Sequence, residues 1–334
     1  MRFIIYGAGA IGGTLGGLLF RAGHEVVLIA RGRHLQALRS DGLTLSTPDF
    51  TDTYSIPAVA DPSEVDWSDG DVVLLTMKSQ HTLGALTGDG GAAGLAGQAP
   101  PDTPVVSLQN GVANELTALR LFPRVYGVCV MFPATHLEPG AVQADCSPVP
   151  ALLDIGRYPG GVDDTAERIA AAFRSAGCGS EPRANVMAWK YHKLLSNLAN
   201  SLDALCGDHG DRDDSREVLG QLAERARAEG REVLTAAGIA VISDQEDRER
   251  RGDLLRVKPV VGGVSRQGSS TRQSLLRGSG SVEADYLNGE IVLLGRQYGV
   301  PTPVNELLQR LIGEHVRLGR EPGAFTPEQL LARL

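Results

Sequence analysis

No stretch of the 334-residue chain approaches the roughly 20 continuous apolar residues of a membrane helix, so no transmembrane segment is expected. A basic block is missing too: 32 Lys and Arg stand against 40 Asp and Glu, a formal net charge of −8, which argues against nucleic acid as a partner. Cysteine is scarce. Cys129, Cys146, Cys178 and Cys206 lie apart without a C-x-x-C pair, which reads as reduced, structural thiols in a cytoplasmic protein and gives a metal site no support. The N-terminus has Arg2 before an apolar run, but it is too dense in glycine for a signal peptide. These absences leave a protein of ordinary globular composition, 42% hydrophobic and 22% charged, whose partner is expected to be a small molecule. The length suggests two domains.

What is present starts at once. Residues 1–17 read M-R-F-I-I-Y-G-A-G-A-I-G-G-T-L-G-G, a strand, a tight turn and a helix. The run from Arg2 to Tyr6 has no polar alternation, which suits a parallel strand buried on both faces. Gly7, Gly9 and Gly12 give the G-x-G-x-x-G spacing: one glycine for the turn, one for close approach of a pyrophosphate, one for helix packing. With Ala8, Ala10 and Ile11 between them, they form a candidate dinucleotide loop whose helix N-terminus offers unpaired N–H groups to phosphate. The spacing arises by chance in a chain with 41 glycines, but here a second strand pattern follows at residues 24–30 and completes the context. Arg31 stands directly after that strand, where an Asp or Glu would bind the ribose of NAD, so NADP is the expected cofactor. A solvated basic loop, with Arg33 and His34, is the alternative.

Further along, residues 34–39 suggest a short helix, and residues 43–46 and 53–59 suggest strands. D-V-V-L-L-T-M at 71–77 and the run at 104–108 read as buried strands. They deliver Lys78 and the Q-N-G of Gln109, Asn110 and Gly111 at their carboxyl ends, where open α/β sheets bind ligands. Residues 124–156 are β-rich and 164–176 helical, and the domain boundary falls near Arg183. Beyond it the sequence is almost wholly helical in pattern. In a helix over residues 186–205, Lys193, Asn197 and Asn200 fall within about 60° of one another at ~100° per residue. A solvated polar face is the bland reading, yet Asn is a poor helix former in mid-helix. Lys190, one turn earlier, competes with Lys193 for the same chemistry. Residues 207–217 read as a charged exposed loop, 218–237 as a long helix, and 244–256 as a solvated charged helix face. Residues 264–280 form a hydroxyl-rich loop suited to a carboxylate, or a plain connector. A helix over 282–297 and a capping helix from Pro301 end the chain.

These pieces in this order resemble the ketopantoate reductase (2-dehydropantoate 2-reductase) family. The resemblance runs from G-A-G-A-I-G to the Pro303–Asn305 segment and is carried by Lys78, Q-N-G, K-L-L-S-N at 193–197, S-S-x-x-Q at 269–273 and E-A-D-Y-L-N-G from Glu283. It implies an α/β protein: a mainly parallel Rossmann domain, residues 1–183, followed by an all-helical domain, residues 184–334, that binds substrate and pairs into a homodimer. The implied reaction is NADPH-dependent reduction of a 2-oxo acid, foremost 2-dehydropantoate on the way to pantothenate, in the cleft between the domains. By the same resemblance, Lys193 is the general acid, and Asn110 and Asn197 orient substrate. Ser270 holds its carboxylate, Glu283 bonds substrate or fixes the site, and Lys78 lies between cofactor and substrate, with Asn110 and Glu283 also near the cofactor. The chain departs from the family pattern at Ser201, where a second Asn is common, with Asn200 beside it. It also departs at residues 209–212 and by one extra residue between Ser270 and Glu283. These differences touch the substrate end. They keep open a related dehydrogenase for another hydroxy acid or an amino-acid conjugate, and a non-catalytic NADPH-binding sensor.

Overall fold

The structure, a computed structural model, describes residues 1–211, 213–260, 262–263, 268–278 and 280–334, with the backbone alone at 210, 211, 213 and 214. By contacts the chain forms two compact units. One comprises Met1–Asn110, Asn114–Lys190 and Ser243–Arg266; the other comprises Gly111–Ala113, Tyr191–Ile242 and Gln267–Leu334. A single cut at 183 is simpler than this partition, which returns a late segment to the first unit.

The first unit begins with β1 (Arg2–Tyr6), α1 (Ala10–Arg21), β2 (Glu25–Ile29), α2 (Gly32–Ser40), β3 (Leu43–Ser46), β4 (Thr51–Tyr54), β5 (Ala58–Val59), β6 (Asp71–Leu75) and α3 (Thr82–Thr87). The run expected as one strand at 53–59 is two, because Pro57 has no N–H for a ladder. A short hairpin, β7 (Gly88–Asp89) and β8 (Ala92–Ala93), precedes β9 (Val105–Ser107) and α4 (Asn114–Leu119). Then come β10 (Val125–Met131), β11 (Ala134–Glu138), β12 (Ala141–Ala144), β13 (Cys146–Pro148), β14 (Leu152–Arg157) and α5 (Asp164–Ser175). Seven strands make the main sheet in the order β14-β10-β9-β6-β1-β2-β5, all parallel except β14. The order reverses at β1, whose neighbours are β6 and β2, and sheets of this kind bind ligands outside the carboxyl ends of the strands at such a reversal, here β1 and β6.

Helix α1 is packed on two sides, which explains glycines beyond the fingerprint. A Cβ at Gly16 would stand 2.8 Å from Leu28 of the main sheet, whereas Cβ atoms at Gly13 and Gly17 would stand 3.0 Å from Val142 and 3.1 Å from Leu45. Those two residues belong to a second sheet, ordered β11-β12-β3-β4. Bulkier side chains would hold both sheets off the helix.

The second unit is helical: α6 (Val186–Asn197, of which residues from Tyr191 on belong here), α7 (Asn200–Cys206), α8 (Asp213–Ala236), α10 (Ser270–Leu276), α11 (Asn288–Tyr298), α12 (Pro303–Leu318) and α13 (Pro327–Leu331). The 184–334 stretch is not wholly helical, since β15 (Leu255–Val257) pairs antiparallel with the edge of β13 in the first unit. The charged run before it is α9 (Asp244–Arg251), and its reading as a purely solvated face is corrected at Arg250. That guanidinium, 9% exposed, grips Asp154 through Nε and Nη2 at 2.8 and 2.6 Å. The expected exposed loop at 207–217 is a 3-10 turn followed by the start of α8, with residue 212 outside the described residues. The helix expected over 282–297 is a 3-10 turn, Ala284–Tyr286, followed by α11. Among the described residues, no helix is long and apolar enough to cross a membrane.

Candidate active site

The turn after β1 is held by its own atoms. Gly7 has φ +103°, and a Cβ there would lie 2.9 Å from Met77 N. One at Gly12 would collide with Gly7 O and the Thr76 hydroxyl, which itself donates to Gly7 O at 2.8 Å. Gly9 differs: among the described residues, a Cβ there meets nothing within 4 Å. Gly9 is also the N-cap of α1, without a side-chain cap and without an acidic residue in the first turn, so the first N–H groups of the helix are left to an anion. Open space over Gly9 beside a bare helix N-terminus is what a pyrophosphate requires, and Ala8, Ala10 and Ile11 complete the loop. His34 braces it from behind, its Nε2 lying 2.6 Å from Ala8 O while Nδ1 accepts from Gly140 N at 2.9 Å. The proton therefore sits on Nε2, and burial holds this imidazole below the ordinary histidine range. The sequence shows His34 only as part of a basic loop; its role depends on Gly140, far along the chain.

Arg31 is the N-cap of α2, and its side chain, 57% exposed, lies 3.8 Å from the Asp89 carboxylate. Lys78 caps the 3-10 turn Ser79–His81 that follows β6. Burial, then the Lys78 charge, lowers the His81 pKa.

Asn110 is anchored through its backbone. Its carbonyl accepts from Ser79 Oγ at 3.2 Å and Asn114 Nδ2 at 3.1 Å. Next to it, the Gln109 amide donates to Met77 O at 2.9 Å and to Thr82 Oγ1 at 2.8 Å. Thr82 in turn donates to Asn114 Oδ1 at 2.8 Å. Ser79, Thr82, Gln109 and Asn114 are all buried. This network joins the loop that carries Lys78 to the loop that carries Asn110. Sequence reasoning missed Thr76, Thr82, Asn114 and Glu115; the one available signal was a polar N-E pair close behind Q-N-G.

In the second unit, Lys193 and Asn197 lie one turn apart near the end of α6, Lys193 half-buried and Asn197 6% exposed. The single helix expected over 186–205 is corrected: it breaks after Asn197, and Asn200 starts α7. At the break the Leu198 carbonyl accepts from Asn288 Nδ2 at 3.1 Å. The unbroken helix on which Lys193, Asn197 and Asn200 share a face is thus interrupted before Asn200, whose carbonyl accepts from Ser269 Oγ at 3.2 Å. Ser201 is buried and donates to Asn288 Oδ1 at 2.6 Å. Ser270 opens α10, with Ser269 as its N-cap, so the middle of the expected loop is helix; residues 264–267 and 279 lie outside the described residues. Glu283 precedes the 3-10 turn and is half-buried. Among the described residues, no group of three or more His, Cys, Asp or Glu is placed to hold a metal ion, and the four cysteines are buried, none of them in a disulfide.

Residues 3–158 match the description "Ketopantoate reductase PanE/ApbA" and residues 185–316 match its C-terminal counterpart. A 2-dehydropantoate 2-reductase of Pyrococcus horikoshii is 31% identical over 96% of this chain and 99% of its own length. One of Halobacterium salinarum is 30% identical over 97% and 100%. Among solved structures, a PanE/ApbA family ketopantoate reductase from Ralstonia eutropha superposes with a TM-score of 0.76 at 31% identity, covering 96% of this chain and 99% of that one. A D-mandelate dehydrogenase with NADH and anilino(oxo)acetate shares the fold, with a TM-score of 0.79 at 22% identity, covering 96% of this chain and 99% of that one. With likeness along nearly its whole length, this chain belongs to the ketopantoate reductase PanE/ApbA family.

Proposed function

We propose that the protein reduces a 2-oxo acid to the 2-hydroxy acid with NADPH, and that 2-dehydropantoate is the substrate. The observation that carries the proposal lies at the carboxyl edge of the main sheet of the first unit. There, an open Gly9 at a bare helix N-terminus shares the carboxyl edge of the sheet with Arg31, Lys78 and Asn110. These residues fit a dinucleotide: the loop from Gly7 to Gly12 would hold the pyrophosphate and Arg31 a 2′-phosphate. Bound NADPH supplies the hydride. The chain's own residues then meet the charge that hydride addition builds on the carbonyl oxygen. Lys193 stabilises that oxygen and gives it a proton, completing the hydroxyl. Asn110 and Asn197 orient the oxo acid, and Ser270 and Glu283 bind it. Lys190 is 2% exposed and bound to Glu115 and Gln109, whereas Lys193 is only half-buried, and this difference in burial supports Lys193 over Lys190 as the acid.

The test is NADPH oxidation by the wild-type protein on 2-dehydropantoate, an unbranched 2-oxo acid and an aryl-substituted one. Highest kcat/KM on 2-dehydropantoate is expected. Faster turnover of another acid reassigns the substrate, a result that the hydroxyl of Ser201 held by Asn288 would then help to explain. No oxidation with any of them rejects the reductase reading.

A further inference from the structure

Behind the Q-N-G turn lies an ion pair that the proposed chemistry does not use. Lys190 Nζ stands 2.5 Å from Glu115 Oε1, with side chains 2% and 0% exposed. The same nitrogen donates to Gln109 O at 3.0 Å. The β10 backbone makes room, because a Cβ at Gly127 would stand 3.3 Å from Glu115 Oε1 and 3.4 Å from Lys190 Cδ. Among the described residues, Glu115 Oε2 has no hydrogen-bond partner, so Lys190 is what compensates the carboxylate. Two charges taken out of water are weak stabilisers, and well-packed apolar residues in their place are often as stable or more so. Stability alone therefore does not account for the pair. Its third contact does more: it fixes the carbonyl of Gln109, whose side chain is already tied to Met77 O and Thr82 Oγ1.

We infer that Lys190 and Glu115 are positioning residues, which lock the Gln109 peptide and so aim Asn110 at the oxo acid. Gln109 is then held at both ends, leaving the next residue little freedom. The inference rests on the reading of Asn110 as a residue that orients substrate.

The decisive variant is Lys190→Met/Glu115→Leu, which removes both charges and leaves neither alone in the core. It is expected to bind NADPH within about threefold of wild type and to lose roughly 10- to 100-fold in kcat/KM on the oxo acid, the scale of a misplaced contact. In an Asn110→Ala background the same pair of changes should cost nothing further, because the contact it aims is already gone. A merely structural pair would lower both backgrounds alike. Wild-type kcat/KM in the double variant, or a further loss in the Asn110→Ala background, overturns the inference. If the apolar pair does not fold, Lys190→Arg keeps the charge but not the point contact with Gln109 O. A several-fold drop in kcat/KM is then expected, and none refutes the inference. Asn110→Ala alone separates the two claims: full activity there sinks the role of Asn110, whereas loss there with active pair variants sinks only the positioning.

Discussion

Substituting alanine at Gly9 and at Gly12, three residues apart in one turn, should give opposite results. At Gly12 the new methyl would sit 2.4 Å from both Gly7 O and Thr76 Oγ1, and 2.8 Å from Ile5 Cγ2. The nearest atoms are a backbone oxygen and a hydroxyl bonded to it, so relief requires α1 to move off β1. With two contacts at 2.4 Å the upper part of the overpacking range applies, about 2–3 kcal/mol, and the better helix propensity of Ala returns about 1 kcal/mol. A net loss of about 1–2 kcal/mol corresponds to a fall of roughly 2–8 °C in Tm for a unit of this size. At Gly9 the methyl meets no atom of the described residues within 4 Å, and φ is −76°, outside the left-handed range that favours glycine. Tm should therefore stay within about 2 °C of wild type. The methyl nevertheless enters the space through which a pyrophosphate must approach, so the Kd for NADPH should rise at least ~10-fold, or about 1.4 kcal/mol. Thermal unfolding without ligand, paired with a fluorescence titration of NADPH, reads both quantities. Unaltered NADPH affinity in Gly9→Ala would refute the phosphate-loop argument, and an unshifted Tm in Gly12→Ala would refute the packing argument.

Three other outcomes are expected. Lys193→Ala should lose at least ~100-fold in kcat, the low end of general acid catalysis, while still binding NADPH; unchanged turnover would remove the residue from the mechanism. Arg31→Ala should weaken NADPH about tenfold or more and leave NADH nearly unaffected, since a charge-assisted bond to phosphate is lost; equal weakening of both cofactors would contradict a 2′-phosphate site. His34 titrates below its ordinary value because burial disfavours the imidazolium, although its bond to the Ala8 carbonyl partly opposes this. The unfolded chain thus takes up the proton first. The stability this histidine contributes is complete above about pH 6.5 and is lost as pH falls through its lower folded value. Tm measured from about pH 7.5 to pH 5 should fall less steeply in His34→Gln than in wild type, and parallel profiles would show that His34 plays no part.

The portions of the chain that could be read in advance are those whose signal is local. A parallel strand covered on both faces must be an unbroken apolar run, so β1 and β6 stand out in the sequence, and what each delivers at its carboxyl end follows by counting. Gly13 and Gly17 carry no such signal. Their reason is the second sheet, assembled from β3 and β4 together with a hairpin almost a hundred residues later. Helical periodicity likewise assumed an unbroken ladder through residues 186–205, yet the break after Asn197 is fixed by Asn288, which no window of that length contains. The same limit applied to the two lysines. The chain has only four, Lys78, Lys190, Lys193 and Lys258, so each is conspicuous, but position on a helix cannot tell a proton donor from a structural cation. The difference lies in distant partners. Lys190 is taken by a carboxylate that follows β9, the strand that also presents Asn110. A lysine 2% exposed and bound to a carboxylate and a carbonyl inside the core is placed to set geometry, whereas Lys193, three residues on, is half-buried and lies one turn from Asn197.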